Sequence, residues 1–146
     1  MLKIDFGSGY NPEKGYKTCD FTYSPFLDYA YNRSDNKIYD LEEKSVDIFR
    51  LKNVLHHCDI EKVVKCLSNY LKDDGEIIII EPNKENYSSN RGLDILWYRY
   101  IYPRYEIPIP PVKRFNYVEE FIKNNFYVFS VEKSEIYDTY IFKKKR

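Results

Sequence analysis

Cysteine and long apolar runs are both scarce in this 146-residue sequence. The three cysteines, Cys19, Cys58 and Cys66, lack C-x-x-C spacing and are odd in number. This argues against a disulfide framework and fits a reducing compartment. The longest aliphatic run, Ile77 to Ile80, is far shorter than the roughly 20 residues that span a bilayer, and no signal peptide is recognisable. We therefore expect a cytoplasmic protein that does not contact a membrane.

An excess of charge of either sign is absent as well. Lysine and arginine together number 23, as do aspartate and glutamate, so no global field draws the chain toward nucleic acid or an anionic membrane. The basic end, Lys143 to Arg146, is typical of a solvated terminus. The length fits a single domain, residues 1–146. The 16 tyrosines and nine phenylalanines could fill its core, which we expect, or form a stacking surface for a ligand.

Apolar runs and turn residues alternate in an order that predicts an α/β fold. Strands are predicted at residues 2–6, 16–21, 37–39, 46–51, 76–81, 126–131 and 137–142. Helices are predicted at 24–31, at 60–71 after Asp59 and before Asp74-Gly75, and at 118–123 after Asn116. Unbroken isoleucines in the fifth strand indicate a parallel sheet, and the short last connection indicates an antiparallel hairpin. We expect a doubly wound, mostly parallel sheet with a C-terminal antiparallel hairpin.

The connection between the first two predicted strands is unusually short. Residues 11–15 support at most one helical turn, so the helix that normally follows the first strand is reduced. One face of the sheet then lacks its usual cover. We expect either residues 87–114 or the second subunit of a homodimer to cover it.

A strand that runs into a glycine turn is the first sign of function. Leu2 to Phe6 leads directly into Gly7-Ser8-Gly9, and residues without a Cβ let the backbone approach a ligand. Asp20 and Asp40 follow the second and third predicted strands, and sheets of this class bind ligands at the carboxyl ends of their strands. Both aspartates are also ordinary residues of strand-end turns. The pattern predicts a cofactor site near the N-terminus.

The chain resembles the class I, seven-stranded S-adenosylmethionine (SAM)-dependent methyltransferases, of the small type-11-like kind. Asp5 to Gly9 resembles the acidic, glycine-rich first loop of that family, and Gly15 to Asp20 resembles its second strand with a terminal carboxylate. Asn53 to His57, followed by Leu71 to Ile77, resembles the segment from its fourth to its fifth strand. The turn Lys72 to Gly75 departs mildly from the family's Lys-Pro-Gly-Gly. The resemblance covers the order of elements along the whole chain.

The resemblance implies SAM as cofactor, S-adenosylhomocysteine (SAH) as product, and no metal. It implies that Gly7 and Gly9 line the methionine and ribose, and that Asp20 accepts hydrogen bonds from the ribose hydroxyls. Phe21 would lie against the adenine, and Asp40 with Leu41 would meet the adenine edge. The implied cofactor-binding residues are Asp5, Gly7, Ser8, Gly9, Asp20, Phe21, Asp40, Leu41 and Asn53.

A nicotinamide-dependent oxidoreductase is the competing nucleotide-binding hypothesis. Its fingerprint needs a third glycine that opens a helix and an acidic residue about 20 positions further on. Here the third glycine is absent, and Asp20 comes only eleven positions after Gly9. A carboxylate at Asp5 would also repel a pyrophosphate, whereas it suits the cationic methionine end of SAM.

The only two histidines, His56 and His57, follow the fourth predicted strand, where the family presents groups toward the transferred methyl. A histidine there could remove a proton from a hydroxyl acceptor near neutral pH. A packing role or a cofactor contact is the alternative. Metal binding with Cys58 is disfavoured because three adjacent residues do not easily converge on one ion.

An aromatic and basic segment, residues 84–115, lies where the family inserts its variable substrate-recognition region. Its candidate substrate-binding residues are Arg91, Trp97, Arg99 and Tyr105. Such residues stack on bases or sugars and bind phosphates, and they are also typical of a lid or a subunit interface. The methyl acceptor stays open among small molecules, nucleotides, sugars and peptides. A catalytically silent SAM-binding or regulatory subunit and a pure interaction module are the alternative functions.

Overall fold

A computed structural model describes residues 1–9, 11–21, 25–83 and 116–146. Its strands are β1 (Lys3–Phe6), β2 (Lys17–Asp20), β3 (Tyr29–Asn32), β4 (Lys37–Tyr39), β5 (Val46–Lys52), β6 (Leu71–Pro82), β7 (Phe126–Lys133) and β8 (Tyr137–Lys144). Its helices are α1 (Ile60–Tyr70) and α2 (Tyr117–Lys123), and a 3₁₀ turn spans Leu55–His57. These strands form one sheet in the order β4-β3-β2-β1-β5-β6-β8-β7.

The centre of the sheet is parallel. β1 pairs in parallel with β2 on one side and with β5 on the other, and β2 with β3 and β5 with β6 are parallel as well. β8 pairs antiparallel with both β6 and β7. The predicted α/β fold, with its mostly parallel sheet and C-terminal antiparallel hairpin, is confirmed. Because the chain leaves β1 for β2 and returns to the other side of β1 as β5, the strand order reverses there, and such a reversal opens a crevice at the carboxyl ends of the strands.

Helix α1 forms as its apolar spacing predicts. The Asp59 carboxylate accepts a hydrogen bond from Lys62 N at 3.3 Å, so the predicted N-terminal cap is present. The buried face of the helix consists of Ile60, Val63, Val64, Cys66, Leu67 and Tyr70. Helix α2 begins after Asn116 as predicted, although the Asn116 side chain makes no capping hydrogen bond. The Phe121 ring of α2 stacks on Phe142 of β8 with centroids 4.2 Å apart.

Both described helices pack on the same face of the sheet and belong to one apolar core. Side chains alternate along β1, so Ile4 and Phe6 enter this core while Asp5 points to the opposite face. There the Asp5 carboxylate pairs with Arg50 Nη1 at 3.0 Å, and Arg50 Nη2 lies 3.3 Å from Glu13 Oε2. Burial raises the pKa of Asp5, and Arg50 and Glu13 N partly offset that effect. This ion-paired network lies on the face of the sheet opposite α1 and α2. Residues 87–114, predicted as a possible cover, lie outside the described residues, and the homodimer stays a prediction.

Residues 11–16 contain no helix, in agreement with the short connection. Tyr16 N donates to Glu13 O at 3.0 Å, and Gly15 has a φ of 87°, so the chain reverses in a tight turn before β2. Cys19 and Cys66 are buried free thiols, and burial raises the pKa of Cys66 to about 12. Within the described ranges, no helix is long and apolar enough to cross a membrane.

The helix predicted at residues 24–31 is wrong, because Tyr29–Asn32 form strand β3. The Asp28 carboxylate accepts from Thr18 N at 2.9 Å and from Thr18 Oγ1 at 3.0 Å, which fixes the start of β3 beside β2. The Tyr31 ring then packs edge-on against Phe6 in the core. Pairing with β2 and burial of an aromatic ring outweigh the local helical signal of Ser24-Pro25.

Two further predictions need correction. Lys37–Tyr39 is a strand, but it runs antiparallel to β3 as β4, so Asp40 follows the end of an antiparallel edge strand. Asp74-Gly75 does not end α1, which stops at Tyr70. Instead it lies within β6, where pairing with β5 is irregular between Val46 and Ile48. Leu71 passes straight from the end of the helix into the core, so the chain enters β6 without a separate loop.

We expect Gly75→Ala to lower the free energy of unfolding by about 1–3 kcal/mol, because an added Cβ overpacks this site. The new atom would lie 2.7 Å from Leu71 Cδ1 and 3.0 Å from the backbone oxygen of Asp47. Urea unfolding followed by circular dichroism measures the change. Asp74→Ala is the control, because the neighbouring side chain is exposed and its loss should cost less than about 0.5 kcal/mol. Equal losses in the two variants would contradict the packing argument.

Candidate functional site

The glycine turn after β1 packs directly against the chain that leaves β5. Gly7 has a φ of 80°, and its N–H donates to Cys19 O at 2.7 Å. A Cβ at Gly7 would lie only 2.5 Å from Val54 Cγ2, so no side chain fits. The first glycine of the turn is therefore required by the packing of two loops as well as by its positive φ.

Asp20 fastens the other end of this turn to β2. Its Oδ2 accepts from Gly9 N at 2.6 Å, and its Oδ1 accepts from Phe21 N at 2.7 Å. Each carboxylate oxygen has two lone pairs, so each retains one for a further donor. A Cβ at Gly9 would find Asp20 Oδ2 as its nearest neighbour at 3.9 Å, so the space beside Gly9 is open. A carboxylate next to open backbone suits a ligand with a pair of hydroxyl groups.

Three aromatic rings form a wall beside Asp20. Phe21 meets Phe6 and Tyr31 edge-on at centroid distances of 5.5 and 5.4 Å. The guanidinium of Arg33 lies over the Phe21 ring, with its carbon 4.7 Å from the centroid. Phe6 and Tyr31 are buried and Phe21 is partly exposed, so the exposed part of this wall consists of Phe21 and the Arg33 cation.

A pocket of about 230 Å³ opens against this wall. Phe21, Tyr31 and Arg33 line one side, and His57, Asp59 and Lys62 line the other. The ends of β2 and β3 thus face the 3₁₀ turn and the start of α1. Tyr31, Arg33 and Lys62 were missed by the sequence analysis. Tyr31 and Arg33 were missed because strand β3, which contains Tyr31 and ends just before Arg33, was predicted as a helix.

Glu81, at the end of β6, holds the 3₁₀ turn that carries the histidines. Its Oε1 accepts from Val54 N at 3.0 Å and from Leu55 N at 2.8 Å, and its Oε2 lies 2.5 Å from His56 Nδ1. Only 2% of Glu81 is exposed. The sequence analysis missed this residue as well. A glutamate directly after a run of buried isoleucines would have indicated a buried, paired carboxylate.

The two candidate catalytic histidines differ in their surroundings. His56 is buried and pairs with Glu81, whereas His57 is partly exposed and lines the pocket. Their rings lie 3.8 Å apart between centroids. His57 is thus the histidine with access to the pocket, and the His56 ring lies between it and the carboxylate. No cluster of three His, Cys, Asp or Glu residues in the described part of the chain is placed to hold a metal ion.

Asn53 and Ser8 lie at the same edge of the sheet. Asn53 has a φ of 58°, and its N–H donates to Ile80 O at 2.9 Å, so it turns the chain sharply after β5. Its side-chain amide donates to Tyr137 Oη at 3.4 Å. The Ser8 hydroxyl donates to Gly9 O at 3.2 Å. Both residues shape the loops around the crevice, and their predicted cofactor contacts stay predictions.

Asp5 and Asp40 do not join the cluster around Asp20. Asp5 points to the opposite face of the sheet, where its Oδ2 also accepts from Glu13 N at 2.8 Å. Asp40 is exposed and has a φ of 62°. It follows Tyr39, which is level with Asp20 but two strands away. Leu41 continues from this edge strand, and the contacts of these three residues with a cofactor stay predictions. Arg91, Trp97, Arg99 and Tyr105 lie outside the described residues.

Comparison with sequence-family models gives no match, and no curated protein is similar in sequence. Solved structures do match. A proposed type 11 methyltransferase from Sulfolobus solfataricus superposes with a TM-score of 0.62 at 22% identity, over 99% of this chain and 84% of that one. The trans-methyltransferase CalH in complex with SAH gives 0.60 at 16% identity, over 97% of this chain and 50% of that one.

Human N-acetylserotonin methyltransferase in complex with SAM gives a TM-score of 0.60 at 17% identity, over 99% of this chain and 48% of the human one. The chain therefore spans about half the length of the latter two proteins. At these identities the likeness concerns the fold. The chain has the α/β fold of the class I SAM-dependent methyltransferases, as its sequence resemblance predicted.

We expect Gly7→Ala to lower the free energy of unfolding by about 2–3 kcal/mol, through the clash with Val54 and the strained φ. Val54→Ala removes the clashing methyl groups. Chemical denaturation of the two single variants and the double variant measures the coupling between the sites. The double variant should be at least about 0.5 kcal/mol more stable than the sum of the single losses predicts. Strict additivity would show that the loops are not in contact as described.

Proposed function

We propose that this protein is a SAM-dependent methyltransferase. The observation that carries the proposal is the Asp20 carboxylate, which is bonded to Gly9 N and Phe21 N beside open space at the point where the strand order reverses. This arrangement fits an adenosine whose two ribose hydroxyls donate to the remaining lone pairs of Asp20. The fold neighbours include proteins described in complex with SAM or SAH.

The chain's own residues divide the work of holding the cofactor. Asp20 would accept from the ribose, Gly9 would admit the ligand close to the backbone, and Phe21 would lie flat against the adenine. Tyr31 supports Phe21 from its edge at 5.4 Å. When bound, SAM supplies a methyl carbon on a cationic sulfur, which the lone pair of an acceptor attacks while the sulfur keeps the electrons of the broken bond.

Among the described residues, His57 is our candidate for the group that acts on the acceptor. It lines the pocket opposite Tyr31 and Arg33. For a hydroxyl acceptor, its imidazole would take the proton that the oxygen loses as the new bond forms. Arg33 and Lys62, at the same pocket, would favour an acceptor with a negative group. Small molecules, nucleotides, sugars and peptides all include such acceptors.

Calorimetric titration of the ligand-free protein with SAH tests the cofactor site. We expect measurable binding of SAH. We expect Gly9→Ala to weaken that binding at least about 10-fold, a loss of about 1.4 kcal/mol of binding free energy. The reason is that the added methyl group would intrude on the space of the ligand. Gly15→Ala is the matched control. Gly15 also has a positive φ, of 87° against 60° at Gly9, and a Cβ there would contact nothing within 4 Å.

In this comparison the two variants share the cost of a strained backbone, and only Gly9→Ala affects the site. Equal affinities in both variants would remove the glycine turn from the cofactor site. Failure of the unmutated protein to bind SAH or SAM would overturn the proposed function.

We also expect Asp20→Asn to weaken SAH binding about 10- to 100-fold, since hydrogen bonds to a charged group contribute roughly 1.5–3 kcal/mol. An amide in this place can accept at only one of its two ends. Asp74→Asn, at an exposed position of β6, is the control and should bind SAH as the unmutated protein does. Unchanged affinity in Asp20→Asn would leave the ribose hydroxyls without their proposed acceptor.

A further inference from the structure

We propose that Glu81 is a positioning residue that sets the tautomer of His56 and, through it, the placement of His57 at the pocket. This inference rests on the proposed function, because the placement of His57 matters for the reaction proposed above. Glu81 has no direct place at the pocket, and it reaches that site only through the 3₁₀ turn.

The first step is the hold of Glu81 on the backbone of this turn. Val54 N and Leu55 N both donate to the same carboxylate oxygen, Oε1. These two N–H groups open the 3₁₀ turn and have no earlier turn of helix to bond to. A buried strand-end carboxylate therefore satisfies them and fixes the direction in which the turn leaves β5.

The second step concerns the proton on His56. The other carboxylate oxygen, Oε2, lies 2.5 Å from His56 Nδ1. An ionised carboxylate only accepts hydrogen bonds, so Nδ1 must carry the proton and donate it to Oε2. In the neutral imidazole this leaves the lone pair on Nε2. Glu81 thus selects one of the two tautomers of His56 and fixes the orientation of its ring.

The third step leads from His56 to the pocket. The His57 ring lies 3.8 Å from the His56 ring between centroids, at an interplanar angle of 55°. His56 is buried, so its fixed ring forms a wall that limits the positions His57 can adopt. When His57 takes a proton from an acceptor, the carboxylate one ring further away also stabilises the new positive charge.

The test compares Glu81→Gln with the unmutated protein by ¹⁵N NMR of the histidine rings, without ligand. Glutamine keeps the size of the side chain and an oxygen for Val54 N and Leu55 N, but it presents its NH₂ group to His56 Nδ1. That nitrogen must then accept, so His56 should change from the Nδ1–H to the Nε2–H tautomer. Glu76→Gln, on the same strand but at a partly exposed position paired with Lys143, is the control and should leave both rings unchanged.

Three outcomes would overturn the proposal. They are an Nε2–H tautomer of His56 in the unmutated protein, an unchanged tautomer in folded Glu81→Gln, and a changed tautomer that leaves the His57 signals where they were. The first can be read even if Glu81→Gln does not fold. SAH titration of the unmutated protein keeps the two proposals apart, because the tautomer of His56 is read without ligand. Absence of SAH binding would refute the proposed function alone.

Discussion

The contact between Gly7 and Val54 is the constraint on which the site depends. β1 lies between β2 and β5, so the chain that leaves β1 and the chain that leaves β5 emerge side by side. The missing side chain of Gly7 lets these two loops touch. One loop is bonded to Asp20 and the other to Glu81, so the contact joins the loop held by the Asp20 carboxylate to the turn that carries the histidines. Without this contact, the loop after β1 and the loop after β5 would lie further apart.

Carboxylates and an amide hold the loops at this edge of the sheet by hydrogen bonds. Asp20 satisfies the backbone N–H groups of its turn, Glu81 those of the 3₁₀ turn, and Asp59 the first turn of α1. Asn83 does similar work, since its side-chain amide donates to Ser134 O at 3.2 Å in the hairpin turn. Buried N–H groups left without partners are costly, and Glu81 removes that cost at Val54 N and Leu55 N. The other side chains hold their loops by hydrogen bonds that are partly or fully exposed. The loops around the crevice are therefore preorganised by the strands beneath them.

The elements that the sequence predicted correctly are those with strong local signals. Helix α1 has a cap at Asp59 and one apolar face, and β6 has an unbroken isoleucine run, so both were found. β3 was missed because Tyr29–Asn32 is only four residues long and follows the helical signal of Ser24-Pro25, and its start depends on Thr18 of the neighbouring strand. The direction of β4 was missed for the same reason, since antiparallel pairing with β3 is possible only once β3 exists.

The sequence by itself determined the order of the elements, the glycine turn, and Asp20 as the carboxylate beside it, because glycine geometry, helix capping and strand burial are local properties. Only the tertiary structure decided which partners the acidic side chains have. Asp5 follows the alternation of β1 onto the far face and pairs with Arg50, whereas Glu81 reaches back to His56 across 25 residues of sequence. The physical reason is that the choice of partner for a charged side chain depends on sheet order and register, which are set by pairing between distant strands.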